Sequence, residues 1–332
     1  MNPSEQGRPR LLVARAVFPS VIARLREHFD VQHNEADEVW SRAELIERLQ
    51  GMDAVFVTTG EPIDRGVLAA CPQLKAVCSM AVGYNNIDVP ACTERGVLAS
   101  NAPDVLTETT ADFGFALMMA TARRITESER FLRRGEWNKW AVDMFAGQDV
   151  HGRTLGILGM GRIGQAIARR GALGFGMPVV YHNRSRLAPE LEQPLGARWL
   201  GKEDLLRQAD HLVIVLPYSA QSHHSIGAAE LAQMKPTATL TNVARGGIVD
   251  DAALAQALKS GVIAAAGLDV FEGEPQVHPD LLDVPNVVLT PHIASASLPT
   301  RTAMANLAAD NLIACFTGGT PPTALNPQVL TT

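Results

Sequence analysis

The sequence predicts an α/β protein of two doubly wound parallel-sheet domains with a cleft between them. Three observations carry the prediction. Short β-branched and apolar runs alternate with amphipathic stretches, and strand followed by helix, repeated, implies a parallel sheet covered on both faces. The alternation begins twice, near residue 11 and again near residue 154. The 332 residues correspond to about two domains at roughly 150 residues each.

In the first hundred residues, strands are expected at 11–17, 54–58 and 74–79, each followed by a helix, at 21–29, 63–70 and 87–95. Residues 107–134 are nearly all helix formers without proline and form one or two long connecting helices. The second alternation places strands at 154–158, 179–182, 211–216, 239–242, 264–268 and 287–290. A last amphipathic helix, 299–316, is stopped by Gly318-Gly319 and Pro321-Pro322, and it packs on either domain. Two segments joining the domains make a hinge, and ligands favour the cleft beside it.

Composition narrows the function. At 46% hydrophobic and 19% charged residues the chain is an ordinary globular protein rather than a disordered or fibrous one. Its formal charge of -6, from 29 basic and 35 acidic residues, leaves no basic surface for nucleic acid. No apolar run reaches the ~18 residues that span a bilayer, and the start Met1-Asn2-Pro3-Ser4-Glu5-Gln6 lacks a signal-peptide pattern, so a cytoplasmic chain with no membrane partner is expected. Cys71, Cys78, Cys92 and Cys315 lie in apolar contexts without C-x-x-C spacing, as reduced core thiols do. The adjacent His223 and His224 are expected to point apart at the surface, with no carboxylate at helical spacing, so no metal site is expected.

The most specific local signal is Gly159-Met160-Gly161-Arg162-Ile163-Gly164, which follows the strand 154–158 and opens a helix. Gly159 makes the tight turn, Gly161 admits a pyrophosphate close to the backbone, and Gly164 lets the helix pack on the strand. The helix N-terminus stabilises phosphate charge through free N–H groups and the dipole. An NAD site places an acid about 20 residues on to hold the ribose hydroxyls. Here that place reads Asn183-Arg184-Ser185-Arg186, with two guanidinium groups and a hydroxyl that suit a 2′-phosphate and no carboxylate to repel it. NADPH is therefore expected over NADH.

Three charged residues stand at strand ends in otherwise apolar or glycine-rich stretches: Arg245, Glu274 and His292. In an open α/β sheet the carboxyl ends of the strands form the ligand crevice, so the three are expected to converge there. Hydride transfer to a ketone needs a proton donor at the carbonyl oxygen, a role for His292. Glu274 beside it would orient the ring, and the Arg245 fork would bind a substrate carboxylate and polarise the keto oxygen.

The stretches Ala81-Val82-Gly83-Tyr84-Asn85-Asn86-Ile87-Asp88, Val105-Leu106-Thr107-Glu108-Thr109-Thr110-Ala111-Asp112, Gly135-Glu136-Trp137, the glycine loop, Ala244-Arg245-Gly246, Gly267-Leu268-Asp269-Val270-Phe271 and Pro291-His292-Ile293 carry a resemblance. Together they resemble the D-isomer-specific 2-hydroxyacid dehydrogenase family over nearly the whole chain, and within it the bacterial glyoxylate/hydroxypyruvate reductase B (2-ketogluconate reductase) group. The resemblance implies a flavodoxin-like substrate domain over 1–105, a Rossmann NAD(P)-binding domain over 106–297, and a helix and tail over 298–332 returning to the substrate domain. It implies that backbone N–H groups at Val82 and Gly83 hold the substrate carboxylate with Arg245 and His292. Asp269 and the carbonyl of Val243 would orient the nicotinamide carboxamide, Thr110 would reach the same region, and Leu216-Pro217 would flank the adenosine. Arg162, Ile163, Ala244 and Ser295 complete the implied cofactor surface. A homodimer joined through the cofactor domains is implied, with Trp137 and Trp140 as candidate interface residues.

Many relatives carry aspartate where Asn183 stands, in line with NADPH. Glu274 separates the chain from formate dehydrogenases, which carry glutamine there, and no regulatory domain follows residue 318 as in many phosphoglycerate dehydrogenases. The C-terminal-binding corepressors keep the same loop, arginine, glutamate and histidine yet grip peptide motifs; the surface groove and flexible tails that would favour them are not evident here. Glyoxylate, hydroxypyruvate and 2-ketogluconate remain open as substrates.

Overall fold

Strands form where β-branched runs allow burial on both faces, and a computed structural model, which describes residues 7–330, gathers them into two separate all-parallel sheets. One unit ends at Leu106 and takes the chain up again at Ser297, and the other is Thr107–Ala296.

The first unit begins β1 (Arg10–Val13), α1 (Pro19–Arg26), β2 (Asp30–His33), α2 (Arg42–Leu49), β3 (Ala54–Val57). It continues α3 (Arg65–Ala70), β4 (Ala76–Ser79), α4 (Val89–Glu94), β5 (Leu98–Ser100). The sheet order is β2-β1-β3-β4-β5, the flavodoxin-like order. β3 and β4 are buried at every position, which is why β3 is apolar throughout and β4 is so up to Ser79. β2 is an edge strand of alternating exposure, Asp-Val-Gln-His, and so carries no apolar run by which sequence would reveal it. β1 is shorter than expected because the Asp37 carboxylate accepts from the Ala16 N–H at 2.9 Å and from Arg15 Nε at 2.8 Å, drawing the chain off the ladder.

The second unit opens with α5 (Thr107–Ala122) and α6 (Ile125–Arg133), two helices because Arg124 takes a left-handed φ of 52° between them. Then come β6 (Leu155–Leu158), α7 (Arg162–Arg169) running into a π turn, β7 (Val179–His182), α8 (Pro189–Glu192), β8 (Arg198–Trp199) and α9 (Lys202–Gln208). β9 (His211–Ile214), α10 (Ala228–Leu231), β10 (Thr239–Asn242), α11 (Asp251–Lys259), β11 (Ala265–Leu268), α12 (Pro279–Leu282) and β12 (Val287–Leu289) complete it. The order β12-β11-β10-β9-β6-β7-β8 reverses direction between β6 and β9, the switch point at which doubly wound sheets bind ligands. α5 lies close on this sheet because Gly267 in β11 has no side chain; a Cβ there would strike Thr121.

The last helix, α13 (Leu298–Thr317), is capped by Ser297 and ended by Gly318 at φ 76°. It packs on the first unit's sheet, where Ala305, Ala308, Ala309 and Leu312 are fully buried with Leu11 and Phe29. Small residues on that face let the helix approach closely, and Phe316 meets Phe29 edge-on at 5.3 Å. Asn326 then fixes the tail to β5, accepting from the Ala99 N–H at 2.8 Å and donating to the Val97 carbonyl at 2.9 Å.

Candidate active site

The loop after β6 is shaped by its glycines. Gly159 has φ 106°, and a Cβ there would lie 2.6 Å from the Leu216 nitrogen, so the loop and the segment holding Leu216 and Pro217 meet backbone to backbone. A Cβ on Gly164 would strike the Gly159 carbonyl, whereas a Cβ on Gly161 would meet nothing within 4 Å. Gly161 caps α7, with Arg162 and Ile163 in its first turn. This leaves the exposed side of Gly161 open to an anion at a helix N-terminus.

The turn after β7 departs in part from expectation. Asn183 is turned inward, its Oδ1 accepting from the Met160 N–H at 2.6 Å, and so braces the glycine loop. Arg184 and Ser185 are exposed, and no ion pair or hydrogen bond engages the Arg184 guanidinium among the described residues. Arg186, expected beside Arg184 on a phosphate, instead forks onto Glu192, with Nε 2.9 Å from Oε1 and Nη2 2.6 Å from Oε2. A buried carboxylate demands such a partner.

Three further strand ends carry the charged groups. At β10, buried Asn242 accepts from the Ala244 N–H at 3.0 Å and donates to the Arg245 carbonyl at 3.2 Å, holding the turn from Val243 to Arg245. The Arg245 guanidinium donates to the Ala244 carbonyl at 2.7 Å; burial lowers its pKa while the Glu274 charge counters this. A Cβ on Gly246 would strike the Phe271 carbonyl, so glycine is what lets the Arg245 turn lie against 271–274. Glu274 accepts from the Phe271 N–H at 2.9 Å, and Asp251 accepts from the Glu272 N–H at 3.1 Å.

The other Glu274 oxygen lies 2.7 Å from His292 Nδ1. Burial opposes ionisation of Glu274, but the bond to His292, the Phe271 N–H and the Arg245 charge outweigh it and hold its carboxyl below the ordinary range. With Glu274 ionised, His292 Nδ1 is the donor of this bond, which directs proton exchange to Nε2. His292 itself sits at φ 52°, a strained value for histidine. Fully buried Asp269 at the end of β11 sustains that turn, accepting from Thr290 Oγ1 at 2.7 Å, the Ile293 N–H at 2.9 Å and the Ala294 N–H at 2.8 Å. Ser295 follows, partly exposed.

Thr110, on α5, has a buried Oγ1 with no hydrogen-bond partner among the described residues. In the first unit, Val82 and Gly83 lie just beyond the carboxyl end of β4; Asn101 donates to the Val82 carbonyl at 2.7 Å and fixes their loop. The supports Asn242, Asp251, Asn101 and Glu192 were not singled out from sequence. Their only signal is a polar residue beside apolar strands.

His223 and His224 do not point apart. His224 has φ 47°, the two rings stack at 3.9 Å, and His224 Nε2 lies 2.7 Å from Glu272. Together with Glu272 the two exposed histidines offer ligand atoms that all lie within 4.8 Å of one another, an arrangement that their spacing in sequence does not predict.

Residues 115–294 match the NAD binding domain of the D-isomer specific 2-hydroxyacid dehydrogenases, more than half of the chain. The chain belongs to the D-isomer specific 2-hydroxyacid dehydrogenase family. A glyoxylate reductase of Thermococcus onnurineus is 48% identical to this family member over 327 residues, covering 97% of each chain. The crystal structure of an NADPH-dependent glyoxylate/hydroxypyruvate reductase from Sinorhizobium meliloti, in complex with NADP and malonate, is 37% identical with a TM-score of 0.86, covering 97% of this chain and 98% of that one. A glyoxylate reductase from Paecilomyes thermophila is 34% identical with a TM-score of 0.87, covering 97% and 100%.

The residues fit a nicotinamide dinucleotide: a glycine loop open at Gly161, and a buried hydroxyl at Thr110 that lacks a partner among the described residues. No helix among the described residues is long and apolar enough to cross a membrane.

Proposed function

We propose that the chain reduces a small 2-keto acid, namely glyoxylate, hydroxypyruvate or 2-ketogluconate, to the D-2-hydroxy acid, with NADPH preferred over NADH. The observation that carries this reading is the 2.7 Å Glu274–His292 pair at the carboxyl end of the sheet that bears the dinucleotide loop. The bound nicotinamide supplies the hydride. Arg245 binds the carboxylate and polarises the keto oxygen, and His292 gives that oxygen its proton from Nε2. Glu274 holds the ring by its 2.7 Å contact with Nδ1. Asp269 keeps the His292 turn in register, with Thr110 and the Val243 carbonyl offered to the nicotinamide end. NADPH is favoured because Asn183 stands where an acid would otherwise hold the ribose hydroxyls, and exposed Arg184 and Ser185 follow it. We further propose a homodimer and a cytoplasmic location.

The test follows loss of the reduced-nicotinamide absorbance with NADPH and NADH against glyoxylate, hydroxypyruvate, pyruvate and 2-ketogluconate. A clear rank of keto acids with NADPH the better donor is expected, and His292→Gln should lower kcat by roughly 10²- to 10⁴-fold while NADPH still binds. Binding without turnover of any keto acid, or undiminished kcat in the variant, would count against the reading.

A further inference from the structure

The turn that follows β7 is pinned on both sides of Arg184 and Ser185. Upstream, Asn183 Oδ1 accepts from the Met160 N–H at 2.6 Å, and the Asn183 carbonyl accepts from Trp199 Nε1 at 3.1 Å. Downstream, the Leu187 N–H donates to the hydroxyl of fully buried Tyr181 at 2.8 Å. That hydroxyl donates in turn to Glu192 Oε1 at 2.5 Å. Glu192 projects from α8, with its side chain 5% exposed although the Arg186 side chain it holds is 65% exposed. One carboxylate therefore gathers Tyr181, Leu187 through it, and Arg186. Its two oxygens face the Arg186 fork, the bidentate geometry in which an arginine is least available to a second anion.

We propose that Glu192 sets the cofactor selectivity of this site: its buried carboxylate withholds Arg186 from a 2′-phosphate and leaves Arg184, with Ser185, to bind one. The proposal rests on the NADPH reading above. Two arginines two positions apart would give a strongly cationic pocket if both faced the phosphate. Retaining one of them fixes the shape of the turn and limits the preference to what a single guanidinium supplies. Glu192 acts through Arg186 and is a positioning residue.

The alternative is that the Arg186–Glu192 pair only ties the turn to α8. The two accounts separate in a titration of the folded protein with 2′,5′-ADP and 5′-AMP, the adenosine halves of the two cofactors, by calorimetry. The wild type should bind 2′,5′-ADP more tightly. Arg184→Ala should lose roughly 10- to 100-fold of that preference, whereas Arg186→Gln, whose amide still reaches Glu192, should retain it. Glu192→Gln should tighten 2′,5′-ADP by roughly three- to tenfold, with 5′-AMP unmoved, and adding Arg186→Gln should abolish the gain.

A loss in Arg186→Gln as large as in Arg184→Ala overturns the proposal. So does a folded Glu192→Gln protein that binds both probes more weakly, the result a purely structural pair requires. If Glu192→Gln does not fold, Arg186→Gln alone decides. Equal binding of both probes by the wild type, with a gain in Glu192→Gln, would overturn the NADPH reading while upholding the restraint by Glu192.

Discussion

Glycine at position 246 is set by the backbone of another segment. A methyl group there would strike the Phe271 carbonyl, so the turn carrying Arg245 must move away from 271–274, the segment that holds Glu274. Misplacing a catalytic group by about 1 Å can cost on the order of 10² in rate. Gly246→Ala should therefore lower kcat/KM for the keto acid by about that factor, with a smaller loss of cofactor affinity through the Val243 carbonyl on the same turn. Steady-state kinetics beside NADPH titration checks this, and equal losses in both would mean that the substitution unfolds the unit rather than misaligns the site. The charged residues stand out in sequence because ionisable groups at the ends of apolar strands are costly unless used. Their supports do not stand out. Asn242 and Asp251 could be placed only once the strands were, and the diversion of Arg186 depends on Glu192 reaching back from a separate helix. His224 shows the same limit: a positive φ, invisible in the sequence, turns its ring onto His223.

At the level of elements, strands buried on both faces and the apolar edge strand β12 were legible as apolar runs, while the short or polar edge strands β2, β5 and β8 were not. β2 has one apolar residue in four, and β8 has two residues and β5 three, too few to show a period. α2 was missed although Ser41 and Glu44 form a complete capping box at its start. Helix caps also yield a prediction. Asp64 caps α3 by accepting from the Val67 N–H at 2.8 Å and forks onto Arg42 at 2.8 and 3.0 Å. The Arg42 bonds first, and the Val67 N–H next, hold its carboxyl down at about 2. A folded pKa below the unfolded value of about 3.9 means stability that is fully present above about pH 4 and lost as pH falls toward 2. Asp64→Asn keeps a capping oxygen but no charge. Its deficit in urea midpoint should be constant from about pH 7 to 5 and shrink below about pH 4; a deficit that grows in acid would show that the charge does not act this way. Asp64→Ala, which also loses the cap, should cost about 1 kcal/mol more at neutral pH.

For the molecule as a whole, the double start of the strand–helix alternation gave two parallel sheets, and both are present. Periodicity alone left open which sheet α13 joins, whereas the family resemblance placed it on the first, where it lies. Its alanine face decides, fitting against the first sheet where bulkier residues would not. What neither sheet accounts for is the outward apolar surface of the second unit. α6 buries none of its residues, and Ile125 and Leu132 on it are 51% and 56% exposed. The segment between α6 and β6 presents Trp137, Trp140 and Val142 at 57%, 74% and 86% exposure. That segment is nonetheless held in place: Phe145 packs edge-on against Phe131 at 5.1 Å, and the Gln148 N–H donates to the Ala122 carbonyl at 2.8 Å. A chain that fixes its backbone while facing large apolar side chains to water forgoes about 1.5 to 3 kcal/mol for each one a partner would bury. A second copy offers the same surface, so a two-fold arrangement can cover both at once. The proposed homodimer follows, and sedimentation of the wild type at micromolar concentration should give twice the mass of the chain. Trp137→Ser with Trp140→Ser should shift that equilibrium toward monomer, with the melting temperature becoming concentration-dependent over the same range. A wild type that sediments as a monomer, with the two tryptophans fully quenched by acrylamide, would leave this surface bare and sink the dimer.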